Sequence, residues 1–274
     1  MKKYLVIGNP IKHSLSPLIH NYWMRKHKLV DSVYEKRKVE EKDLKNLIQE
    51  IKDNEIIGMN VTIPFKQLII PFLDELDSTA KETKSVNTIY KVQRKIIGCN
   101  TDSSGFFQTI TNFIPSETSK SSAPIHKKHV FILGAGGVTS SIIYALYKHD
   151  LKITVSNRTR KKAEELKKNF PKINVLDWGH RPSVFDIVIN TTSVGLAQND
   201  KIDINFNDCD ENENKLFYDL IYNPKETNFL KEARLRGNKT VNGQMMFLNQ
   251  AIYAFNLWTN ITPKIDEGLV KLLD

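Results

Sequence analysis

The sequence predicts an α/β protein made of two α/β domains. Three observations lead there. Over roughly the first 100 residues, short apolar runs alternate with stretches of helical spacing. A polar stretch bounded by Pro115 and Pro124 then interrupts the pattern. A second alternating series begins after it, at Lys128. Alternation of this kind argues for helices packed on largely parallel sheets. Two domains joined near residue 105 fit it better than one.

In chain order, residues 4–7 read as a first strand. Ser16 and Pro17 open a helix, with serine as the cap and proline at the first helical position. Residues 33–39 are a second strand, and 40–52 a helix with Leu44, Leu47, Ile48 and Ile51 on one face. Residues 56–63 are a third strand, 67–76 mostly helix, and 86–92 with 95–98 a strand pair. The second series runs strand 128–133, helix 137–148, strand 152–156, helix 161–169, then buried strands at 185–190 and 215–219. The acidic, Asn-rich residues 199–214 are expected to form a surface excursion, 115–124 an exposed linker, and 245–259 a helix.

The chain has 274 residues, 40% hydrophobic and 26% charged. That composition is ordinary for a globular protein and excludes disordered and fibrous classes. No apolar run approaches the roughly 20 residues needed to span a bilayer, and the apolar stretch at the start is too short for a signal peptide. Two cysteines, Cys99 and Cys209, exclude a disulfide framework and a Cys-based zinc site. The expectation is a cytoplasmic chain with no metal and no membrane partner. Lys and Arg outnumber Asp and Glu by 40 to 31, a net charge of +9. The lysines are scattered through helical stretches and are not interleaved with aromatics, which argues against a nucleic-acid partner.

Gly134-Ala135-Gly136-Gly137-Val138-Thr139 lies between an apolar strand and a helix. Glycines there let the backbone turn sharply and approach a pyrophosphate, which the amides of the helix N-terminus attract. The third position of this fingerprint is Thr139, and without a ligand the same residues make only a tight turn. The next strand ends at Asn157-Arg158-Thr159, with Arg158 22 residues after Gly136. An NAD-binding unit has an acidic residue about 20 positions on; an arginine instead pairs with a 2′-phosphate, and Lys162 adds charge. The cofactor expected is NADP.

A second set of polar residues falls at strand ends and turns of the first half: Ser14 and Ser16, Asn60 and Thr62, Lys66, Asn87 and Asp102. Asn60 and Thr62 alternate along a strand and so face one side. Taken singly, each has a plain explanation. Ser16 caps a helix, Lys66 is a solvated lysine, and Asp102 suits the first turn of the helix that follows it.

Together with the glycine turn, these residues resemble the shikimate dehydrogenase family over nearly the whole chain, from Gly8 to about Phe255. The motifs are His13-Ser14-Leu15-Ser16-Pro17, Gly58-Met59-Asn60-Val61-Thr62-Ile63-Pro64-Phe65-Lys66, Val86-Asn87-Thr88 and Asn100-Thr101-Asp102-Ser103-Ser104-Gly105-Phe106. Asn157-Arg158-Thr159, Asn190-Thr191-Thr192-Ser193-Val194-Gly195, Asp219-Leu220-Ile221-Tyr222-Asn223-Pro224 and the stretch 243–250 follow. The resemblance implies an N-terminal substrate-binding and catalytic domain, residues 1–104 completed by 244–274, and a Rossmann-type NADP-binding domain, residues 105–243. It implies reversible NADPH-dependent reduction of 3-dehydroshikimate to shikimate, in chorismate and aromatic amino acid biosynthesis, by a monomer or homodimer. Ser14, Ser16 and Tyr222 would bind the substrate carboxylate, and Asn60, Thr62, Asn87, Asp102 and Gln250 the ring hydroxyls. Lys66 would be the acid/base and Asp102 its orienting partner. Gly134, Ala135, Gly136, Gly137 and Val138 would hold the pyrophosphate. Asn157, Arg158, Thr159 and Lys162 would face the 2′-phosphate, and Thr192, Leu220 and Gly243 the nicotinamide half.

The sequence departs from the family pattern in three places. Lys84-Ser85 stands for the usual Gly-Ala; a lysine there either perturbs the backbone beside Asn87 or faces solvent. Thr139 is small enough for close packing. Phe247, for the commoner Leu, is expected in the core. Cys99 is expected to be a buried structural thiol. The rival readings are an NAD-using quinate/shikimate dehydrogenase, against which Arg158 and the serine pair argue, and a catalytically silent paralogue, against which the intact Lys66 and Asp102 argue.

Overall fold

The computed structural model describes residues 1–111, 113, 128–149, 151–197, 199–206 and 215–273. The expected linker at 115–124, Cys209 and part of the expected excursion at 199–214 lie outside them. In chain order the first elements are β1 (Lys2–Gly8), α1 (Ser16–Lys26), β2 (Ser32–Lys38), α2 (Leu44–Lys52), β3 (Gly58–Val61), α3 (Phe65–Leu68), β4 (Glu75–Leu76), α4 (Ser78–Thr83), β5 (Thr88–Val92), β6 (Lys95–Cys99) and α5 (Thr101–Ile110). After the undescribed stretch come β7 (His129–Leu133), α6 (Thr139–Tyr147), β8 (Lys152–Ser156), α7 (Arg160–Asn169), β9 (Asn174–Leu176) and β10 (Ile187–Asn190). The chain closes with β11 (Leu216–Asp219), α8 (Asn228–Leu235), β12 (Lys239–Val241), α9 (Gln244–Thr259) and α10 (Glu267–Leu273). It divides into two compact units, Met1–Gly105 with Leu248–Asp274, and Phe106–Phe247, so the boundaries fall inside α5 and α9.

The first unit holds a six-stranded sheet in the order β2-β1-β3-β5-β6-β4. Its β1 pairs parallel with β2 and β3, but β5 runs antiparallel to β3 and β6. The sheet is therefore mixed where the sequence predicts a largely parallel one. The cause is the β5–β6 hairpin, whose short connection can only join antiparallel strands. On α2, Leu44, Leu47, Ile48 and Ile51 are all buried against this sheet, as their spacing requires. Burial of each such side chain contributes about 2 kcal/mol. The helix expected over 67–76 is instead α3, a 3₁₀ turn over Ile70–Phe72 and β4. Pro71 lacks the amide an α-helix would need there.

The C-terminal part of α9 packs on the same sheet. Trp258 Nε1 donates to the Ile89 carbonyl at 3.0 Å. A Cβ on Gly58 would lie 2.3 Å from Trp258 Nε1, so β3 must begin with glycine for the indole to fit.

The second unit is a six-stranded, all-parallel sheet in the order β12-β11-β10-β7-β8-β9. Every residue of β7, β10 and β11 is buried, as continuous apolar strands covered on both faces should be. Strand order reverses between β7 and β10. In sheets of this kind ligands bind beyond the carboxyl ends of strands at such a switch point.

Candidate active site

In the first unit, α3 begins directly after Ile63-Pro64 and carries Lys66. The Lys66 carbonyl accepts from Val86 N at 2.8 Å, which fixes its backbone against the strand that follows. Its Nζ lies 2.5 Å from Asp102 Oδ2, with the two side chains only 13% and 9% exposed. Asp102 is in the first turn of α5, but its carboxylate does not cap the helix. Asn100 Oδ1 takes the Ser103 amide instead, at 3.2 Å. The other oxygen of Asp102 accepts from Asn87 Nδ2 at 2.8 Å. Asn87 Oδ1 in turn accepts the Thr101 amide at 2.8 Å, and Asn87 Nδ2 reaches Gln250 Oε1 at 3.4 Å. Lys66, Asp102, Asn87 and Gln250 thus form one cluster. A buried carboxylate bonded through both oxygens has one orientation available, and so does the ammonium it holds.

Asn60 joins the same network from β3. Its Nδ2 donates to Thr88 Oγ1 at 2.9 Å and to the Asn87 carbonyl at 3.1 Å, and its Oδ1 accepts from the Tyr34 hydroxyl at 2.6 Å. Thr62, expected on the same strand face, lies one residue past the end of β3 and is half-buried. Gly8 leaves it room, since a Cβ there would sit 2.5 Å from Thr62 Cγ2.

Ser14 and Ser16 lie together, Oγ to Oγ at 3.3 Å. Ser16 is not the helix cap: Leu15 occupies that position and no side chain caps α1. The Ser16 hydroxyl bonds Ser14 instead, and its amide approaches the same Ser14 Oγ at 3.4 Å. Cys99 is buried, and burial first, then Asp77 and Asp102, push its thiol well above the ordinary range, so it stays protonated. Lys84 is exposed and sits at the C-cap of α4 with φ 49° and ψ 39°, a left-handed conformation that glycine adopts without penalty.

In the second unit, the glycine turn leaves β7 at the switch point. Gly134 has φ +110°, and a Cβ there would lie 2.5 Å from Thr191 Oγ1. Gly136 has nothing within 4 Å of its would-be Cβ, so this side of the turn is open to an approaching group. Ala135 N donates to Asn157 Oδ1 at 3.0 Å, tying the turn to the end of β8. Thr139 is fully buried; its hydroxyl accepts the Gly136 amide at 3.0 Å and meets Thr191 Oγ1 at 2.8 Å. Arg158, Thr159 and Lys162 are exposed beside that strand end. The neighbouring Arg160 is paired with Asp177 and Glu164. An open glycine turn beside two exposed cations fits a pyrophosphate and a 2′-phosphate.

The loops after β10 and β11 are knotted through Asp219. Its Oδ1 accepts from Asn190 Nδ2 and Ile221 N, and its Oδ2 from Thr227 Oγ1 at 2.7 Å. Asn190 Oδ1 accepts from both the amide and the hydroxyl of Thr192. Gly243 lies against the Leu220 carbonyl, 2.0 Å from where a Cβ would stand, and its amide donates to Ile221 O at 3.1 Å. The Tyr222 ring stacks on Phe247, centroids 4.4 Å apart and planes 8° apart. Phe247 is half-buried, so the expected core residue is in fact a platform for Tyr222. Burial pushes the Tyr222 hydroxyl up to about 12, which keeps it a donor.

The motifs did not reveal Tyr34, Thr88, Thr101 or the Asn190–Asp219–Thr227 knot as parts of these sites. One signal was available for Tyr34: it stands among charged residues on β2, where it is the single buried position.

Residues 6–89 match the family model described as shikimate dehydrogenase substrate binding domain, and residues 117–228 the one described as shikimate / quinate 5-dehydrogenase. A shikimate dehydrogenase (NADP(+)) of Pelagibacter ubique is 50% identical over 274 residues, 100% of this chain and 99% of that protein. The shikimate dehydrogenase structure from Aquifex aeolicus superposes with a TM-score of 0.87 at 35% identity, covering 100% of this chain and 97% of that one. A shikimate 5-dehydrogenase from Thermus thermophilus, in complex with NADP(H) and shikimate, gives 0.83 at 27% identity, covering 100% and 98%. Full-length identity at this level, two matching domain models and the same two-unit fold place this chain in the shikimate dehydrogenase family.

Proposed function

We propose that this chain catalyses the reversible NADPH-dependent reduction of 3-dehydroshikimate to shikimate, a step of chorismate and aromatic amino acid biosynthesis. The observation that carries it is the buried Lys66–Asp102 ion pair, whose carboxylate is held from its other side by Asn87. NADPH supplies the hydride when bound. Reduction of the C3 carbonyl leaves an alkoxide, and Lys66 Nζ gives that oxygen its proton; in the reverse direction the same amine takes the proton from the hydroxyl. Asp102 Oδ2 aims the ammonium, and Asn87 keeps Asp102 in place.

Ser14 and Ser16 donate to the substrate carboxylate, and the family assignment adds Tyr222. Asn60, Thr62, Asn87, Asp102 and Gln250 bind ring hydroxyls; a polyhydroxylated ring needs that many directional partners. The turn from Gly134 to Val138 receives the pyrophosphate. Asn157, Arg158, Thr159 and Lys162 receive the 2′-phosphate, while Thr192, Leu220 and Gly243 border the nicotinamide half. The chain works in the cytoplasm as a monomer or homodimer.

The test is NADPH absorbance with the purified chain, offering shikimate or quinate with NADP or NAD. Turnover of shikimate with NADP, exceeding the other three pairs, is expected. Preference for quinate or NAD would move the chain to the sister activity. No turnover by folded protein would overturn the reading.

A further inference from the structure

Tyr34 is 1% exposed, and a buried phenol needs a hydrogen-bond partner. Its partner is a side chain of the substrate set: the hydroxyl donates to Asn60 Oδ1 at 2.6 Å. The ring is locked from outside. His20, four residues after Ser16 on α1, stacks on it at 4.3 Å with planes 7° apart, and Trp258 of α9 lies 6.0 Å away.

The consequence for Asn60 follows from counting. A carboxamide offers two donor hydrogens and two acceptor lone pairs. Thr88 and the Asn87 carbonyl take both hydrogens, and Tyr34 takes one lone pair. What remains is one acceptor position, so Asn60 can only accept from a substrate hydroxyl. Tyr34 fixes that polarity, because its donated hydrogen holds the oxygen end of the amide in place.

We infer that Tyr34 is a positioning residue for substrate recognition: its single hydroxyl fixes the orientation of Asn60, at the ring-hydroxyl end. This rests on the functional reading above. The route continues through Thr88 and Asn87 to Asp102 by side-chain hydrogen bonds, Thr88 Oγ1 donating to Asn87 Oδ1 at 3.1 Å. Tyr34 therefore touches recognition directly and the proton-transfer pair only at a distance.

Tyr34→Phe keeps the stacked ring and removes the hydroxyl. The expected result is a rise of about ten-fold in KM for shikimate, the scale of one buried hydrogen bond. The KM for NADP should stay within about two-fold and kcat within about three-fold. In an Asn60→Ala background the same change should raise KM by less, since its partner is already gone. Unchanged KM for shikimate would overturn the inference. So would a loss of kcat and thermal stability with KM unmoved, which is what a merely structural tyrosine would give. If Tyr34→Phe does not fold, Thr88→Val releases the amide of Asn60 from its other side and should raise the same KM; no rise would overturn the inference. Failure of the parent protein to oxidise shikimate would overturn the functional reading and the role of Tyr34 with it, whereas an active parent with an unaffected variant overturns the role of Tyr34 alone.

Discussion

In the first unit the polar groups of the site are side chains packed against one another. Asn60, Asn87, Thr88, Thr101 and Asp102 are all buried, and each is held by another member of the set. In the second unit the switch point is built differently. There the glycine turn is backbone, shaped by Gly134 and Gly136, and the cations proposed for the 2′-phosphate, Arg158 and Lys162, stand exposed. The difference matches the ligands proposed for the two sites. A ring with several hydroxyls must be read by donors and acceptors in fixed directions, which buried side chains supply at the risk of leaving a partner unsatisfied. A pyrophosphate is recognised by charge and close approach, which amides and small residues supply. The first unit should therefore respond to substitution through chemistry and orientation, and the second through affinity for one cofactor.

The sharpest break of this contrast is Lys66→Ala. Shikimate oxidation should fall about a thousand-fold, with the KM for NADP changed by no more than about two-fold. Steady-state kinetics on the folded variant reads both, and a rate within about ten-fold of the parent would remove Lys66 from the chemistry. In the second unit, Arg158→Ala should lower kcat/KM with NADP about thirty-fold, or about 2 kcal/mol, and leave NAD unaffected. Equal losses with both cofactors would mean the guanidinium does not discriminate the 2′-phosphate.

Buried polarity should also make the first unit sensitive to acid. His20 is fully buried among Tyr34, Trp23, Phe255 and Trp258, and neither ring nitrogen has a hydrogen-bond partner among the described residues. Desolvation lowers its pKa from 6.5 to about 3. The unfolded chain takes up a proton here as pH falls through 6.5, while the folded chain does not until about 3. Stability is thus lost on acidification, by about 2 kcal/mol between pH 7 and pH 5 from this group. Urea midpoints at the two pH values measure it, and His20→Phe should flatten the difference; an equal difference in the variant would assign it to other groups. The smallest effect concerns Lys84. Replacing it by glycine should raise stability by about 1 kcal/mol, because a side chain in the left-handed region is strained. A lower thermal midpoint for Lys84→Gly would mean the lysine side chain contributes more than its backbone costs.

Much of this was legible in advance where the cause is local. The face of α2, the apolar strands β7, β10 and β11, and the glycine turn follow from residues a few positions apart. Other features were not. Ser16 reads as a helix cap until Leu15 is found at the cap position and the Ser16 hydroxyl turned to Ser14. Phe247 reads as core until Tyr222 is found stacked on it. The antiparallel half of the first sheet depends on where the β5–β6 hairpin docks, on β3, and not on the strand signals themselves.

By itself the sequence determined which residues could form elements, where the backbone must be glycine, and, through ordered motifs, which family the chain resembles. These are properties of short stretches, in which side-chain period and backbone sterics act over a few residues. Tertiary contacts set how Asn60 is polarised, by Tyr34, and which oxygen of Asp102 faces Lys66. A hydrogen bond depends on direction at a scale of ångströms. Its partners here are 15 to 36 positions apart in the chain, as Asn87 and Lys66 are from Asp102, so no local pattern carries it.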